Sequence, residues 1–566
     1  MAAVIRTQDG YKPSRSVIGA IARLAAAALA GIIAAAVALG VAELAAALIG
    51  PNSAPVIAVG ETAINLTPIP VKDFAIMHFG SHDKEALIAG ILVMLAGFAA
   101  LIGVLAVRKI GYGMAGLVVF AGLGVTAALR LPGAGLIDVV PTLAGVAVAA
   151  AALARLAPAV RTAFPGAPAL AGAGGAGAVS SADVSLTGPY LADLLPPEAS
   201  GPDRPGTGTG PGPDRRRFLI AAGGSAAVAA VAGGAGDVLL RRFSIASSRA
   251  AVRLPAAAVR APAVPAGTEL RIPGLTPFFT SNASFYRVDT DLVLPQVSPQ
   301  GWTLKIDGMV AKPVEFSFDE LLKMPLTEAD ITMVCVSNVV GGPYAGNARW
   351  LGVPLAGLLR RAGVRAGADQ VLSTSTDGMT ISTPVAAIMD GRKALLAVGM
   401  NGQPLPVAHG FPARMVVPGL YGYTSATKWV TRLTLTTFAA QKAYWTQRGY
   451  AAVAPIKVES RIDVPKPLAQ VAAGPVTVAG VAWAPADGIA AVEVSVDNGP
   501  WHAARLAAAD GIDTWRQWMW TWPAPSGLHQ LQVRATSNAG VTQVSQRAQT
   551  FPSGATGWDS VVVTVT

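Results

Sequence analysis

The chain contains very little cysteine and histidine for its length, and each shortage excludes a kind of site. One cysteine among 566 residues cannot form an intramolecular disulfide, nor build a tetrahedral zinc site by itself. Without a Cys-x-x-Cys-His sequence, attached c-type haem is excluded. The 5 histidines include no pair facing across an apolar segment, which argues against a transmembrane relay of b-type haem.

Charge is also scarce, since charged residues make up 13% of the chain and hydrophobic residues 52%. The mean hydropathy of +0.48 is too high for a soluble protein and indicates membrane spans. The formal net charge is +10, but the basic residues are scattered or flank apolar segments, as the positive-inside rule requires. We therefore expect no nucleic-acid binding.

Long apolar segments near the N-terminus predict a four-helix transmembrane block, assigned to residues 1–157. Each is close to the length that crosses about 30 Å of hydrocarbon. The four segments cover residues 18–48, 86–107, 114–129 and 136–153. Basic residues that lie on one side of these segments predict that both ends of the block face the cytoplasm. These residues are Arg6, Lys12, Arg15, Arg108, Lys109, Arg155 and Arg161.

Residues 158–213 are rich in Gly, Pro and Ala and predict a flexible cytoplasmic linker. Residues 214–242 contain Arg215-Arg216-Arg217-Phe218-Leu219 before a weakly apolar stretch, which predicts a fifth span and looks like a twin-arginine export signal. The alternative is an ordinary helix that obeys the positive-inside rule. Both interpretations predict a multi-pass protein of the bacterial cell membrane whose remaining residues are extracytoplasmic.

After a Pro/Ala-rich tether over residues 243–269, the sequence predicts two exported domains, 270–454 and 455–566. The first mixes helical and strand periods. Helices are expected over residues 318–323 and 355–362, and strands over 302–306, 331–336 and 415–417. The second shows short alternating strands, the pattern typical of a β-sandwich. These strands are expected over residues 476–478, 491–496, 515–522 and 528–535.

Cys335 lies where a strand is expected to end. Alternation places Ile331, Met333 and Cys335 on one face of that strand, and Asn338 with Gly341-Gly342 interrupts it. The thiol would then border a loop whose backbone can approach a ligand closely. Two roles stay open at this point: a small buried hydrophobe, or one soft ligand to a metal held mainly by another group.

Two further segments carry groups suited to an anionic ligand. His409 to Arg414 is a turn-rich loop before an apolar strand, and Arg414 with Lys428 suits a phosphate. Asn282 and Tyr286 suit a heterocycle, and Arg287 suits an anion. The alternatives are surface ion pairs and packed aromatic rings.

Together these segments resemble the sulfite oxidase family of molybdopterin enzymes. The matching stretches are Cys335-Val-Ser-Asn338, residues 347–355, His409-Gly-Phe-Pro-Ala-Arg414, Val417-Pro-Gly419 and Lys428-Trp429. Residues 480–483, 492–499 and 515–523 look like the immunoglobulin-like dimerisation domain of the family. The resemblance implies a multi-domain fold: an N-terminal α-helical transmembrane block, an α+β sulfite-oxidase-type molybdopterin domain and an immunoglobulin-like β-sandwich.

The resemblance further implies that Cys335 is both the catalytic residue and the metal ligand of a molybdenum–molybdopterin (Mo-MPT) cofactor. Residues expected to bind that cofactor are Asn282, Tyr286, Arg287, Ser375, His409, Arg414 and Lys428. The electron donor or acceptor is not encoded in the chain; a quinone and a separate redox protein are both open, as is a homodimer.

Several cationic positions of the family are changed in this sequence. Val339 and Val340 stand where an arginine usually follows the Cys-x-x-Asn unit, Ser281 replaces a second arginine, and Thr380 replaces an active-site tyrosine. A pocket without these groups should bind sulfite poorly, so we expect oxygen-atom transfer on a small, neutral S- or N-oxo substrate. The alternatives are a sulfite dehydrogenase that uses Arg287 or Arg349, and a non-catalytic surface or assembly protein.

Overall fold

The computed structural model describes residues 15–68, 71, 74, 83–131, 134–164, 213–240 and 244–566. Arg6, Lys12, most of the expected linker and residues 241–243 lie outside the described residues. The chain divides into two compact units. The first comprises Met1–Val56, Ala89–Leu129 and Leu136–Leu239, and the second comprises Ile57–Ile88, Arg130–Gly135 and Leu240–Thr566.

Long apolar runs fold into helices in the N-terminal part of the chain, which confirms the predicted helical block. The helices are α1 (Arg15–Ile49), α2 (Pro55–Leu66), α3 (Asp83–Arg108), α4 (Ile110–Leu129), α5 (Val140–Ala163) and α6 (Pro213–Leu240). Five of them, all except α2, are long and apolar enough to cross a membrane. Glycine permits close packing: a Cβ on Gly31 of α1 would lie 1.9 Å from the Ala99 carbonyl oxygen of α3.

Residues 244–454 form an α+β domain with two sheets. Its helices are α7 (Ala246–Ala251), α8 (Phe318–Leu322), α9 (Leu355–Ala362) and α10 (Val385–Met389). Its strands are β1 (Thr303–Gly308), β2 (Val314–Ser317), β3 (Thr327–Val334), β4 (Ala345–Pro354), β5 (Gln370–Ser375), β6 (Thr380–Pro384), β7 (Leu395–Met400), β8 (Gln403–Pro404), β9 (Arg414–Val416) and β10 (Val430–Thr436). The strand orders are β2-β1-β10-β5-β6 and β3-β4-β7-β8, with β9 paired to β7.

Local sequence explains the helices of this domain. Helix α9 buries Leu355, Leu358, Leu359 and Ala362, the spacing of one helical face. Helix α8 begins with a capping box in which the Ser317 side chain and Glu320 bind each other's backbone N–H. Both helices pack on the core that β1 and β10 supply.

The C-terminal part of the chain is a domain of two sheets whose neighbouring strands are mostly antiparallel. Its strands are β11 (Glu459–Val464), β12 (Gln470–Val471), β13 (Gly474–Trp483), β14 (Ile489–Val496), β15 (Trp501–Ala503), β16 (Arg505–Leu506), β17 (Arg516–Ala524), β18 (Gly527–Ser537) and β19 (Asp559–Val565). The orders are β11-β13-β17-β16 and β12-β19-β18-β14-β15. One core draws on both sheets, with Trp518 and Trp522 from one and Val494, Val533 and Val563 from the other.

The C-terminal domain holds the strand that leads to Cys335. The Thr332 hydroxyl of β3 accepts a hydrogen bond from the backbone N–H of Trp515 at 2.7 Å, and the Thr332 N–H donates to the Asp513 carbonyl at 2.9 Å. Beyond Cys335, the Arg461 guanidinium donates to the Gly342 carbonyl at 2.7 Å. Residues of the C-terminal domain therefore hold both β3 and the loop that follows Cys335 in place.

Candidate functional site

A cavity of about 310 Å³ lies in the second unit, and it brings most of the predicted site residues together. Asn282 is the one predicted residue that does not line it. The predicted residues in the lining are Tyr286, Arg287, Cys335, Ser375, His409, Arg414 and Lys428. These residues come from the loop before β1, the end of β3, the end of β5 and the segment from β8 to β10, so only the tertiary fold assembles them.

Cys335 follows directly after β3 and is 9% exposed. Its backbone N–H donates to the Tyr344 carbonyl at 2.9 Å, and its carbonyl accepts from the Asn338 N–H at 3.0 Å. Burial raises the pKa of the thiol, although hydrogen bonds from Ser337 oppose that shift. A raised pKa keeps the free thiol protonated at neutral pH.

Arg414, the first residue of β9, is a buried cation that donates its hydrogen bonds, among the described residues, to backbone oxygens and lies over the Trp350 ring. Its guanidinium donates to the carbonyls of His409 at 3.2 Å and Ala426 at 3.4 Å. Within the described residues, no carboxylate forms an ion pair with it. Burial lowers the pKa of Arg414 to about 10. Because an uncompensated charge in a protein interior is unfavourable, this cation indicates that the cavity accepts an anionic group.

Lys428 presents a second buried cation. Its ammonium donates to Asp289 at 2.9 Å, and the Arg287 guanidinium donates to the same carboxylate oxygen at 2.9 Å. Burial lowers the pKa of Lys428 to about 8, while Asp289 opposes that shift. Burial alone would raise the pKa of Asp289, but Lys428, Lys84 and Arg287 lower it to about 2.

His409 reaches the cavity as a neutral ring. Its Nε2 lies 3.3 Å from the Asn282 carbonyl oxygen; since a carbonyl only accepts, Nε2 carries the proton and Nδ1 is the acceptor. Burial, and then the charges of Arg414 and Lys428, lower the pKa of His409 to about 4. The following Gly410 has φ +103°, and a Cβ there would lie 3.1 Å from Lys428, so glycine permits this loop to approach Lys428.

Tyr286 and Ser375 supply hydroxyl groups to the cavity. The Tyr286 ring stacks on Phe285 with centroids 5.2 Å apart, and burial raises the pKa of its hydroxyl. Ser375 ends β5, and its buried Oγ has no hydrogen-bond partner among the described residues. Since buried hydroxyls are normally paired, this orphaned atom fits a ligand that supplies the missing bond.

Asn282 takes a different position from the one expected. Its side chain donates to the Met400 carbonyl at 3.3 Å and accepts from the Asn401 amide at 2.9 Å. Its backbone carbonyl is the atom that holds His409. In this structure Asn282 therefore positions the His409 ring and does not itself line the cavity.

The cavity also contains residues that sequence reasoning missed. Asp289 lies two positions after Arg287 and Asp377 two after Ser375, so both were close enough in sequence to be found. Lys84 gave no such signal, because it is separated from its partner Asp289 by 205 positions. Apolar, aromatic and hydroxyl side chains complete the lining, among them Ile64, Thr67, Leu87, Val336, Met379, Ile381, Trp445 and Tyr450.

Two of the positions where the cationic set is changed, Val339 and Val340, do not line the cavity in the described part of the chain. Val339 is 40% exposed. Arg349, considered above as a substitute cation, is bound to Asp330 with Nη2 and Oδ2 2.6 Å apart. Arg287 does line the cavity, paired with Asp289.

Comparison with known proteins agrees with this geometry. Residues 291–445 match the model of the oxidoreductase molybdopterin binding domain. The chain is 29% identical over 308 residues to human mitochondrial sulfite oxidase, covering 45% of this chain and 55% of that one. It is 30% identical over 287 residues to sulfite oxidase of Gallus gallus, covering 43% and 62%. The chain therefore contains an oxidoreductase molybdopterin binding domain and is similar to sulfite oxidases over that part of its length.

Two further relatives are less identical to this chain or align with a smaller part of it. The NADH nitrate reductase of Solanum lycopersicum is 30% identical over 178 residues, which are 27% of this chain and 19% of that one. The solved sulfane dehydrogenase SoxCD of Paracoccus pantotrophus is 26% identical, with 51% and 81% coverage and a TM-score of 0.46. The chain spans between about half and three fifths of the length of the sulfite oxidases it matches.

The cofactor of this family, molybdenum–molybdopterin, suits the residues that line the cavity. Cys335 offers a soft ligand for the metal, Arg414 and Lys428 offer buried cations for the phosphate, and Ser375 offers an unpaired hydroxyl. The family prediction and the cofactor prediction made from the sequence are thus confirmed.

Proposed function

We propose that this protein is a membrane-anchored, extracytoplasmic oxidoreductase that transfers an oxygen atom to or from a small, neutral S- or N-oxo substrate. The observation that carries the proposal is the shared cavity of Cys335 and Arg414. A buried soft ligand and a buried guanidinium without a carboxylate partner in the described residues are what a metal on an anionic organic cofactor needs.

The bound cofactor supplies the two-electron oxygen-transfer chemistry, and the protein supplies position and polarity. Cys335 would ligate the metal at the end of β3. Arg414 and Lys428 would neutralise the phosphate of the cofactor, and Ser375 and Tyr286 would offer hydroxyl groups to its heterocycle. His409, neutral at pH 7, offers Nδ1 as an acceptor without adding a charge.

The wall beyond Cys335 supports a neutral substrate. Val336, Met379 and Ile381 are apolar, and Trp445 and Tyr450 present aromatic rings. The cations that remain near this wall, Arg287 and Lys84, are bound to Asp289. The sulfite oxidases and nitrate reductase named above are named for anions. An anionic substrate at this wall would contact apolar side chains and two cations that are already paired with Asp289. Both features disfavour its binding.

The cellular setting follows from the sequence pattern. The five apolar helices are assigned as membrane spans, and the segment at Arg215 as a twin-arginine signal that exports the folded domain. The two-sheet C-terminal domain is assigned as an immunoglobulin-like dimerisation domain. A quinone or a separate redox protein exchanges electrons with the metal.

Metal analysis of the purified full chain tests the first part of the proposal. Wild-type protein should contain about one molybdenum per chain, and Cys335→Ser should lose most of it, because the thiolate is the protein's ligand to the metal. Circular dichroism and a melting curve check that the variant is folded. A folded wild-type chain that never contains molybdenum would overturn the assignment.

Substrate preference is tested by turnover with artificial electron carriers. Reduction of a sulfoxide consumes two electrons and two protons and gives the sulfide and water. Sulfite oxidation consumes water, gives sulfate and releases two protons and two electrons. We expect kcat/KM for methyl sulfoxides or N-oxides to exceed that for sulfite. Faster turnover of sulfite would establish the sulfite dehydrogenase alternative.

A further inference from the structure

The cavity has a wall that comes from the N-terminal part of the chain rather than from the oxidoreductase domain. This wall consists of Ile64 of α2, Thr67 just after α2, and Lys84 and Leu87 in the first turns of α3. All four residues belong to the second compact unit, together with the rest of the cavity. We call these four residues the α2–α3 wall.

Polar contacts fix the α2–α3 wall to the oxidoreductase domain. The Glu61 carboxylate accepts a hydrogen bond from the Leu292 N–H. The Asn65 side chain accepts from the Tyr444 hydroxyl at 3.0 Å, and its carbonyl accepts from Arg448 at 3.4 Å. The C-terminal end of the loop from 287 to 292 and the segment near Tyr444 are thus bound by residues from the N-terminal part of the chain.

Lys84 makes the contact closest to the site. Its ammonium binds Oδ1 of Asp289 and the Asp291 carbonyl. The side chains of Lys84 and Asp289 are 15% and 4% exposed, so this ion pair lies in the interior. The other oxygen of Asp289, Oδ2, binds Arg287 and Lys428. Lys84 and Lys428 therefore occupy different oxygens of one buried carboxylate.

The two oxygens of Asp289 have different partners, and this affects the position of the Lys428 ammonium. While Lys84 satisfies Oδ1, Lys428 shares Oδ2 with Arg287 and keeps its ammonium at the cavity surface. Without Lys84, the buried Oδ1 would lack its charge-assisted hydrogen bond, and the carboxylate would attract Lys428 more strongly. An ammonium drawn onto Asp289 is less available to an anionic ligand.

We propose that the α2–α3 wall is part of the cofactor site: Ile64, Thr67 and Leu87 close the cavity, and Lys84 is a positioning residue that acts through Asp289 on Lys428. The proposal rests on the assignment of the cavity to the molybdenum cofactor. It adds that the residues of the α2–α3 wall are required for full retention of that cofactor, so the N-terminal part of the chain is more than an anchor.

The test uses the full chain in detergent, loaded with cofactor, and measures its release by molybdenum analysis and pterin fluorescence after dilution. Lys84→Met should release the cofactor about tenfold faster than wild type, the size expected for a lost charge-assisted hydrogen bond. Lys84→Arg should stay close to wild type because it keeps the cation. The matched control is Lys305→Met, which removes a half-exposed lysine paired with Asp307 outside the cavity; its release rate should not change.

A double-mutant cycle separates positioning from general stability. If Lys84 acts through Asp289, then Lys84→Met should have little further effect in an Asp289→Asn chain. Additive effects of the two substitutions, or a Lys84→Met release rate equal to that of wild type, would overturn the proposal. A wild-type chain without molybdenum would instead contradict the proposed function itself.

A substitution of an apolar residue in the α2–α3 wall provides a second test if Lys84→Met does not fold. Leu87→Ala opens the wall without changing charge and should speed release about threefold, as expected when part of a buried apolar side chain is lost. Leu101→Ala, on the same helix and 53% exposed, is its control. Equal release from these two variants would show that the wall does not close the cavity.

Discussion

Buried ionisable side chains determine what the cavity can bind. Arg414 and Lys428 retain their charge in the interior because the fold provides backbone carbonyls for one and Asp289 for the other. His409 stays neutral because burial, and then the nearby charges of both cations, lower its pKa. The site thus combines fixed positive charge with an uncharged hydrogen-bonding ring, an arrangement suited to a phosphate next to a heterocycle.

His409 should make the fold sensitive to mild acid. Its pKa falls from an ordinary value of about 6.5 to about 4 in the folded state. Between these values the unfolded chain binds more protons, so stability falls as pH decreases from about 6.5 to about 4. His409→Gln should remove this loss, which amounts to at most about 3 kcal/mol. Calorimetric melting of the full chain at pH 7 and pH 4.5 measures the difference.

The control for this measurement is His502→Gln, which changes an exposed ring stacked on Trp520. It should leave the acid sensitivity as it is in wild type. Asp289, with its pKa near 2, loses its contribution only below about pH 3.9, outside the window measured. If wild type and His409→Gln lost equal stability between pH 7 and pH 4.5, the assigned protonation state of His409 would be wrong.

Among the elements, β3 connects the C-terminal domain to the thiol. Thr332, in the middle of β3, accepts from the Trp515 N–H and donates to the Asn347 side chain at 3.1 Å. Cys335 follows three residues later. A displacement at Thr332 should therefore change the position of Cys335, the proposed metal ligand, through the extended strand between them.

Thr332→Val should lower the free energy of unfolding and weaken cofactor retention together. The substitution preserves shape but leaves the Trp515 N–H and the Asn347 oxygen without partners in the interior, at a cost of about 1–3 kcal/mol. Thermal melting and molybdenum content measure the two effects. Thr564→Val, at a half-buried position of β19, should change neither, and a fully loaded, stable Thr332→Val chain would contradict the coupling.

Elements with strong local signals agree closely with the sequence predictions. The helix expected over residues 355–362 has those bounds, because its four apolar residues follow the helical period. The strand expected to reach residue 336 ends at Val334. It ends earlier because the chain turns there, with the Asn338 N–H bound to the Cys335 carbonyl. Alternation of apolar residues alone does not reveal such a turn.

For the whole molecule, labelling with a membrane-impermeant maleimide tests the proposed topology. Cys335 is buried, so an introduced surface cysteine is labelled selectively. Ser526→Cys, at an exposed position between β17 and β18, should react in intact cells, whereas Ser180→Cys in the expected linker should react only after lysis. Replacing Arg215 and Arg216 by lysine should abolish labelling at position 526 if the signal is of the twin-arginine type. Labelling at both sites in intact cells would contradict the topology.

The sequence by itself determined the helical block and the molybdopterin binding domain, because these depend on long apolar runs and on short motifs of adjacent residues. It also indicated seven of the residues that the cavity contains. Only the tertiary structure decided that Asn282 positions the His409 ring, that Val339 and Val340 do not line the cavity in the described part of the chain, and that Lys84 reaches Asp289. The physical reason is that ion pairs and cavity walls depend on distances in space, and a separation of 205 positions between two partners leaves no periodic trace in the sequence.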